Sequence, residues 1–198
     1  MDLNLDLGKA QMHLDWLKQK LYLSIVADNM NNRRVSRGQV YWCDLGIGIG
    51  SEQTKNRPCV IVNNNSSPKS ANTIVAPITH TFKPLPCIVT VTEQRDTDGN
   101  IILDGYVNVS EIRSISKARF GDYVCKLSRE EMKKVDEALL IQLGLKHYCD
   151  TLNNVINDKI EYITKLNAIL DEVKEKIGAE SNNEISEKLQ MLLDELKK

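Results

Sequence analysis

The sequence lacks any run of about 18 apolar residues, the length that a helix needs to cross a bilayer. Its opening, MDLNLD, also lacks the basic region and the apolar core of a secretory signal peptide. With 41% hydrophobic and 27% charged residues, the composition is that of an ordinary globular protein. We therefore expect a protein without membrane spans that is located in the cytoplasm.

Patterns of metal-binding and disulfide-bonded cysteines are missing as well. The five cysteines are spread singly, their number is odd, and no CxxC pair occurs among Cys43, Cys59, Cys87, Cys125 and Cys149. A zinc site or a disulfide framework would need paired spacings. The sequence therefore predicts no metal and no cofactor, and it predicts reduced cysteines that are mostly buried as small hydrophobic side chains.

A large charge of one sign is absent too, since the net charge is −1. The charge is nevertheless uneven along the chain. Residues 33–149 carry 16 Lys and Arg against 12 Asp and Glu, whereas residues 150–198 carry 7 against 11. Contact with phosphate would favour the basic middle of the chain over its acidic end.

Hydrophobic periodicity divides the chain into an N-terminal helical extension (1–34), a central domain (35–147) and a C-terminal helical extension (148–198). Leu14, Leu17, Leu21 and Ile25 recur at helical spacing and predict a helix over 8–30, with residues 28–34 as a polar linker. The central domain instead contains short runs of β-branched residues separated by turns, at 40–43, 59–62, 73–76, 87–91, 105–109, 112–115 and 123–126. Many short strands at close spacing predict a small β-barrel, in which Trp42 belongs to the core.

Two capping boxes mark helix starts after the strands. The first is Ser128 with Glu131, and the second is Ser181 with Glu184. Between them, residues 148–177 keep apolar side chains at 4-3 spacing over about four heptads, with Lys159 at one of these positions, which is typical of a coiled coil. Because amphipathic helices are marginal alone in water, the terminal helices are expected to pair with each other or with another chain.

Few chemical groups are needed to cleave RNA: a base for the 2′-hydroxyl, groups that stabilise charge on the phosphorane, and an acid for the leaving 5′-oxygen. Arg57 precedes Pro58 at the start of an apolar run, Thr79 ends another, and Glu52 and Gln53 follow Gly50-Ser51 in a loop. Taken one at a time, each of these is an ordinary surface residue.

Taken together and in order, the motifs resemble the MazF/PemK family of toxin endoribonucleases. The chain reads RGQVYWCDL from Arg37, then GSEQ from Gly50, RPCVIV from Arg57 and APIT from Ala76, with an Asn-rich loop between the last two. The segment 109–119 and the helix after it also follow the family pattern. The resemblance covers about residues 36–146.

The resemblance implies an α+β fold, a small SH3-like β-barrel with a packed helix, that works as a homodimer without a metal. It implies a sequence-specific nuclease that cuts single-stranded mRNA to 2′,3′-cyclic phosphate and 5′-hydroxyl ends, and that an antitoxin protein holds in check. Arg57 and Thr79 match the catalytic pair of the family. The matching substrate-binding segment is Ser51, Glu52 and Gln53, to which we add Asn64 and His80 as candidate substrate contacts.

The chemistry of the side chains indicates their roles. An arginine with a pKa above about 12 is a poor base, so Arg57 is expected to stabilise the phosphorane and to protonate the leaving group. Thr79 would donate a hydrogen bond to a phosphate oxygen, and Glu52 is a candidate base or base-reading group. His80 is favoured as a substrate contact or a bystander rather than as the acid or base. The loop 63–67 departs from the family pattern, which commonly carries an aspartate there.

Two other functions fit the same sequence. The related CcdB toxins poison DNA gyrase by contact alone on a similar fold, although the presence of Arg57 and Thr79 argues against such a protein. In a third reading, the acidic helices of 150–198 cover the RNA groove and inhibit the nuclease. We favour the simpler alternative, in which the terminal helices form a coiled coil that strengthens a dimer or binds a partner.

Overall fold

The structure is a computed structural model that describes residues 6–30, 33–64 and 70–197. Contacts divide the chain into two units, Met1–Leu145 and Lys146–Lys198. The division of the chain into three parts at residues 34 and 147 stays a prediction. No helix in the described ranges is long and apolar enough to cross a membrane.

The first unit contains a long helix, a set of short strands and a second helix. The helices are α1 (Leu7–Met30) and α2 (Arg129–Gln142), and two 3₁₀ turns cover Val109–Glu111 and Lys117–Arg119. The strands are β1 (Gln39–Asp44), β2 (Asn56–Ile61), β3 (Asn72–Thr79), β4 (Ile88–Thr90), β5 (Gln94–Arg95), β6 (Ile101–Leu103), β7 (Tyr106–Asn108), β8 (Arg113–Ser116) and β9 (Phe120–Lys126).

All strand pairs of the main sheet are antiparallel, and the strand order is β4-β7-β3-β2-β1-β9, with β8 also paired to β3. β5 and β6 form a separate hairpin. Within the described residues no pairing joins β4 to β9, so the strand order describes an open antiparallel sheet and the predicted closed barrel is not confirmed. The fold is an α+β fold, as predicted.

Both faces of the sheet are covered, because successive residues of a strand point to opposite sides. In β2, Val60 belongs to one buried cluster together with Val135 of α2, whereas Cys59 and Ile61 belong to a second cluster with Val75 and Phe120. Successive residues of β2 thus join different clusters. This alternation fixes the strand register, since a slip by one residue would move each side chain to the cluster on the other face. The sheet therefore holds its loops at defined positions.

Helix α2 begins at the predicted capping box. The Ser128 hydroxyl accepts a hydrogen bond from the Glu131 N–H, and the Glu131 carboxylate accepts from the N–H groups of Ser128 and Thr92, each at 2.8 Å. Burial alone would raise the pKa of this carboxyl, but the hydrogen bonds from Thr92 and Ser128 outweigh it and hold the pKa below its usual value. Glu131 thus links the start of α2 to Thr92, two residues after the end of β4.

One side of helix α1 packs against the 3₁₀ turn Lys117–Arg119 and the loop that follows β1. The Arg119 guanidinium lies 5.2 Å from the centre of the Trp16 ring, a cation–π distance. The same indole lies over Gly46, where φ is +78° and where a Cβ would overlap the ring. The opposite side of α1, which carries Leu14, Leu17 and Ile25, is exposed.

The second unit consists of α3 (Lys146–Ile177) and α4 (Asn182–Leu196), and α4 begins at the predicted cap, Ser181. Contacts between the two helices involve the C-terminal part of α3, around a groove of about 330 Å³ lined by Ile177 and Leu192, among others. Neither helix contains a buried residue.

Most predicted elements are confirmed, with three corrections. Helix α1 continues to Met30, so residues 28–30 of the predicted linker are helical, and residues 31–32 of that linker lie outside the described residues. The short strands β5 and β6, on either side of a predicted turn, were not expected. Trp42 is 39% exposed instead of buried, because it lies on the same side of β1 as Val40 but beyond the cluster that α2 covers.

Of the five cysteines, four are buried and Cys149 is partly exposed, and all five are free thiols. Burial, with a contribution from Glu131, raises the pKa of the Cys125 thiol to about 11, and burial likewise raises that of Cys43. These thiols therefore stay protonated near neutral pH, as expected for small hydrophobic side chains.

Candidate active site

The loop between β1 and β2 is closed at its base by two backbone hydrogen bonds. Leu45 N donates to Lys55 O at 2.9 Å, and Lys55 N donates to Gly46 O at 2.7 Å. Inside the loop, the Glu52 carboxylate accepts a hydrogen bond from Ile49 N at 3.0 Å, and it packs over Gly48. The segment predicted to contact substrate is therefore folded back on itself rather than extended.

Arg57 leaves this loop at the start of β2. Its Nε donates to the carbonyl oxygen of Thr54 at 2.9 Å, and the side chain is half-buried. A guanidinium has five N–H donors, and this bond uses one of them. The loop thus orients the Arg57 side chain while its terminal nitrogens remain able to bind an anion.

Thr79 is the last residue of β3 and is buried, with 6% exposure. Its hydroxyl oxygen accepts a hydrogen bond from Thr81 N at 3.2 Å, and its backbone pairs with Tyr106 of β7. Because this oxygen acts as an acceptor, the hydroxyl hydrogen can be donated to another oxygen.

The β2–β3 register relates Arg57 to Thr79. Antiparallel pairing places Ile61 opposite Val75 and Cys59 opposite Pro77. The described pairing ends at this last pair, and Arg57 and Thr79 each lie two residues beyond it, at the same end of the two strands. Since a step of two residues keeps the same face of a strand, continuing this register would set Arg57 opposite Thr79.

Glu111, in the 3₁₀ turn after β7, connects the β1–β2 loop to the rest of the sheet. Its Oε2 accepts a hydrogen bond from Gln53 N at 2.6 Å and lies 3.3 Å from the Arg113 guanidinium. A groove of about 490 Å³ opens here, lined by Ser51, Glu52, Glu111, Ile112 and Arg113. The sequence predicted Ser51, Glu52 and Gln53 as substrate contacts, and the structure adds Glu111 and Arg113 beside them.

Gln53 carries an unusual polar atom. Its side-chain Oε1 is buried and has no hydrogen-bond partner among the described residues. An unpaired buried acceptor costs about 1–3 kcal/mol. Such an atom is suited to accept a hydrogen bond from a ligand that enters the site.

The two remaining predicted contacts lie at the surface. The exposed His80 ring is hydrogen-bonded to Asp104, at 2.6 Å between Nε2 and Oδ1, and no described contact joins the ring to Arg57 or to the Thr79 side chain. Asn64 is exposed, and no described contact joins it to the catalytic pair. Its neighbour Asn63 accepts a hydrogen bond from the Thr73 hydroxyl at 2.6 Å. Residues 65–67 of the Asn-rich loop lie outside the described residues.

Metal ligands do not cluster in the ranges that the structure describes: no group of three His, Cys, Asp or Glu side chains there could hold a metal ion. The groups present at the site are two guanidinium groups, two hydroxyls, two carboxylates and an amide. This set can bind a phosphate and donate or accept hydrogen bonds at bases.

Comparisons with known proteins agree with these motifs. Residues 36–143 match the family described as PemK-like, MazF-like toxin of type II toxin–antitoxin system. The endoribonuclease EndoA of Bacillus subtilis is 38% identical over 117 residues, which cover 56% of this chain and 96% of EndoA.

Solved structures are similar over the same region. An endoribonuclease in complex with its cognate antitoxin, from a mycobacterial species, is 33% identical, with a TM-score of 0.46; the match covers 56% of this chain and 96% of that one. MazF from Deinococcus radiodurans is 19% identical, with a TM-score of 0.49, over 57% and 98% of the two chains. On the family match and on the identity to EndoA, this chain belongs to the PemK/MazF family of type II toxin–antitoxin toxins.

Proposed function

We propose that this chain is a sequence-specific, metal-independent endoribonuclease that cleaves single-stranded RNA in the cytoplasm. The observation that carries the proposal is the β2–β3 register, in which Arg57 and Thr79 lie at the same end of the two strands, each two residues beyond the Cys59–Pro77 pair. The β1–β2 loop that precedes Arg57 contributes Ser51 and Glu52 to a groove. The relationship to EndoA, whose name describes an endoribonuclease, supports the same activity.

The reaction is an internal transfer at phosphorus. The 2′-oxygen attacks the adjacent phosphorus as its proton passes to a base, and the bond from phosphorus to the 5′-oxygen breaks as that oxygen gains a proton. The products are a 2′,3′-cyclic phosphate and a 5′-hydroxyl. Arg57 stabilises the charge that develops on the phosphorane oxygens, and Thr79 donates its hydroxyl hydrogen to one of them.

The hydrogen bond from Arg57 to the Thr54 carbonyl supports the role proposed for Arg57, because it orients the guanidinium. With Nε held by the Thr54 carbonyl, the guanidinium plane is fixed, and the terminal nitrogens bind the phosphate without first being ordered. In this proposal Arg57 is also the general acid at the 5′-oxygen, because the Thr54 carbonyl engages only its Nε and leaves the terminal N–H groups to face the substrate.

Base recognition is assigned to the groove. Carboxylate and amide oxygens accept hydrogen bonds, so Glu52, Glu111 and the buried Gln53 Oε1 favour bases that present N–H donors on their exposed edges. We propose that these acceptors set the sequence preference. In this proposal Asn64 and His80 are outer contacts to the RNA, away from the bond that is cleaved.

Two kinds of protein partner belong to the proposal. A related mycobacterial endoribonuclease was solved in complex with its cognate antitoxin, and we propose that an antitoxin likewise restrains this chain. We further propose that the first unit works as a homodimer and that its strands close as an SH3-like barrel. The helices outside residues 36–143 would then be additions to the toxin domain.

The test is cleavage of a long, weakly structured RNA in EDTA, with the ends of the products mapped. Arg57→Ala and Thr79→Val should each lower the rate about 100-fold or more, because each removes a donor to the phosphorane. The matched controls are Arg95→Ala and Thr90→Val, which change exposed residues of the same types. The wild type should make discrete cuts that leave cyclic phosphate.

Two results would contradict the proposal. If Arg57→Ala cleaved as fast as Arg95→Ala, the observed nuclease would not be this site. If the wild type cut no RNA at all, the chain would act by binding alone, as the CcdB-like alternative predicts, or its own helices would block the groove.

A further inference from the structure

The longest helix of the chain, α3, exposes an apolar face along most of its length. No residue of α3 is buried, and the groove that it forms with α4 lies at its C-terminal end, around Ile177. The face between Cys149 and Leu170 is open in the described structure of this unit. A face of this kind is stable in water only when another surface covers it.

Its side chains follow a heptad repeat, abcdefg, in which a and d form the contact seam. The a positions are Cys149, Ile156, Ile163 and Leu170, and the d positions are Leu152, Lys159 and Leu166. Two of the four a residues are β-branched and two of the three d residues are leucine, and among parallel coiled coils this combination favours two strands. The chemistry of the seam therefore indicates two helices.

The exposed area is large enough for a stable contact. The leucines and isoleucines of the seam are 37–62% exposed, and the neighbouring g positions add Tyr148, Val155, Tyr162 and Ile169. Together these side chains expose on the order of 1,000 Å², against about 800 Å² per partner in a standard interface. The largest apolar patch of a typical monomer is smaller, at about 300–600 Å².

Charges are arranged to permit a copy of the same helix at this face. In a parallel pair, each g residue meets the e residue of the next heptad, so Tyr148 meets Asn153, and Tyr162 meets Asn167 of the other copy. No like charges face each other in these g–e pairs, and within the seam the one like-charge pair that an in-register copy creates is Lys159 with Lys159 of the other copy. Asp158, Glu161 and Lys165 lie at c and f positions, which point away from the seam.

We infer that two copies of this chain pair through α3 as a parallel, in-register coiled coil over residues 149–170. Lys159 is the single charged residue of the seam, and a lone polar residue at a core position fixes register at some cost in stability. Its long stem packs at the seam while the ammonium reaches water. This contact is separate from the homodimer proposed for the first unit, and it does not depend on RNA cleavage.

Cysteines placed along α3 test the inference directly in the full-length chain. In a Cys149→Ser background, Ile163→Cys puts a thiol at an a position, and Thr164→Cys puts one at the adjacent outward b position. Diamide then oxidises two thiols to one disulfide and is itself reduced to the hydrazine. Residues at a face each other across a parallel pair within the reach of a disulfide, about 4.4–6.8 Å between Cα atoms.

The expected result is that Ile163→Cys gives covalent dimers at least about tenfold faster than Thr164→Cys, because only the first thiol faces its copy. The native Cys149 is itself an a residue, and the other four cysteines are buried, so the wild type should crosslink where Cys149→Ser does not. Equal rates for Ile163→Cys and Thr164→Cys would overturn the inference, and so would no crosslinking by either.

Hydrogen exchange provides a second measurement that does not need a new cysteine. Amides of 149–170 should exchange more slowly as the protein concentration rises, since an unpaired helix of this kind opens readily. Ile156→Asp with Ile163→Asp should speed their exchange about tenfold or more, whereas the matched outward pair Asn157→Asp with Thr164→Asp should not. Exchange that is independent of both concentration and the seam substitutions would overturn the inference.

Discussion

The two units of the chain differ in where their apolar side chains lie. In the first unit, the buried apolar residues run from Val35 to Ala138 and cover both faces of one sheet. In the second unit, helices α3 and α4 are both amphipathic, but neither contains a buried residue. The first unit thus obtains its stability from its own packing, whereas the second depends on what covers it.

The contrast extends to function. In the first unit, the site depends on long-range contacts, such as the one between Gln53 and Glu111, which lie 58 residues apart. In the second unit, the described hydrogen bonds are local and join residues up to ten positions apart. A substitution should therefore have very different effects in the two units.

The largest expected difference is between two isoleucine truncations. Ile61→Ala should destabilise the first unit by about 2–5 kcal/mol, because it removes a fully buried side chain from the cluster on one face of the sheet. Ile169→Ala in α3 should cost less than about 0.5 kcal/mol at low protein concentration, where the helix is unpaired. Chemical denaturation that follows each unit separately measures both.

Concentration sharpens this pair of variants. Raising the protein concentration should increase the effect of Ile169→Ala and leave that of Ile61→Ala unchanged, since Ile169 lies on an exposed face that pairing would cover, whereas Ile61 is already buried within one copy. An equally large effect of Ile169→Ala in dilute protein would show that the second unit has a core of its own.

Acid should affect the first unit through Glu131. Because its pKa is lower in the folded protein than in the unfolded chain, its stabilisation is fully present above the unfolded value of about 4.3 and is lost as pH falls through the folded value. Glu131→Gln should lower stability by about 1 kcal/mol at pH 7 and weaken the loss in acid. Denaturation midpoints between pH 7 and pH 3 measure this.

The matched control is Glu130→Gln, the exposed neighbour in the first turn of α2. It should leave the acid dependence of the first unit nearly as in the wild type. If both glutamates changed the pH profile equally, the general charge of the helix end, rather than the hydrogen bonds from Thr92 and Ser128, would be the cause.

Much of this fold could be predicted from local signals. The capping box at Ser128, the β-branched runs and the heptads of α3 are each encoded within a few residues, so their elements appear where they were predicted. Arg57 and Thr79 were predicted from motifs that resemble a known family, and spacing alone would not have paired them.

The rest depends on which distant segments meet. Glu111 joins the site because a 3₁₀ turn approaches the β1–β2 loop, and only the family-like pattern of 109–119 hinted at its importance. Trp42 was predicted to belong to the core of the barrel, yet its position past the end of a buried cluster leaves it 39% exposed. Composition does not show where a core ends.

The smallest expected effect concerns the outer face of α3. Glu161 and Lys165 form an exposed ion pair at 2.6 Å, one helical turn apart. A double-mutant cycle with Glu161→Gln and Lys165→Gln should give a coupling of about 0.3–0.5 kcal/mol, and 1 M salt should weaken it, since the screening length then falls to about 3 Å, close to the separation of the two charges. A coupling well above 1 kcal/mol that resists salt would mean that this face is desolvated. The covering partner would then lie on the polar side of α3, opposite the seam of Ile156 and Ile163, and the assignment of the seam would be wrong.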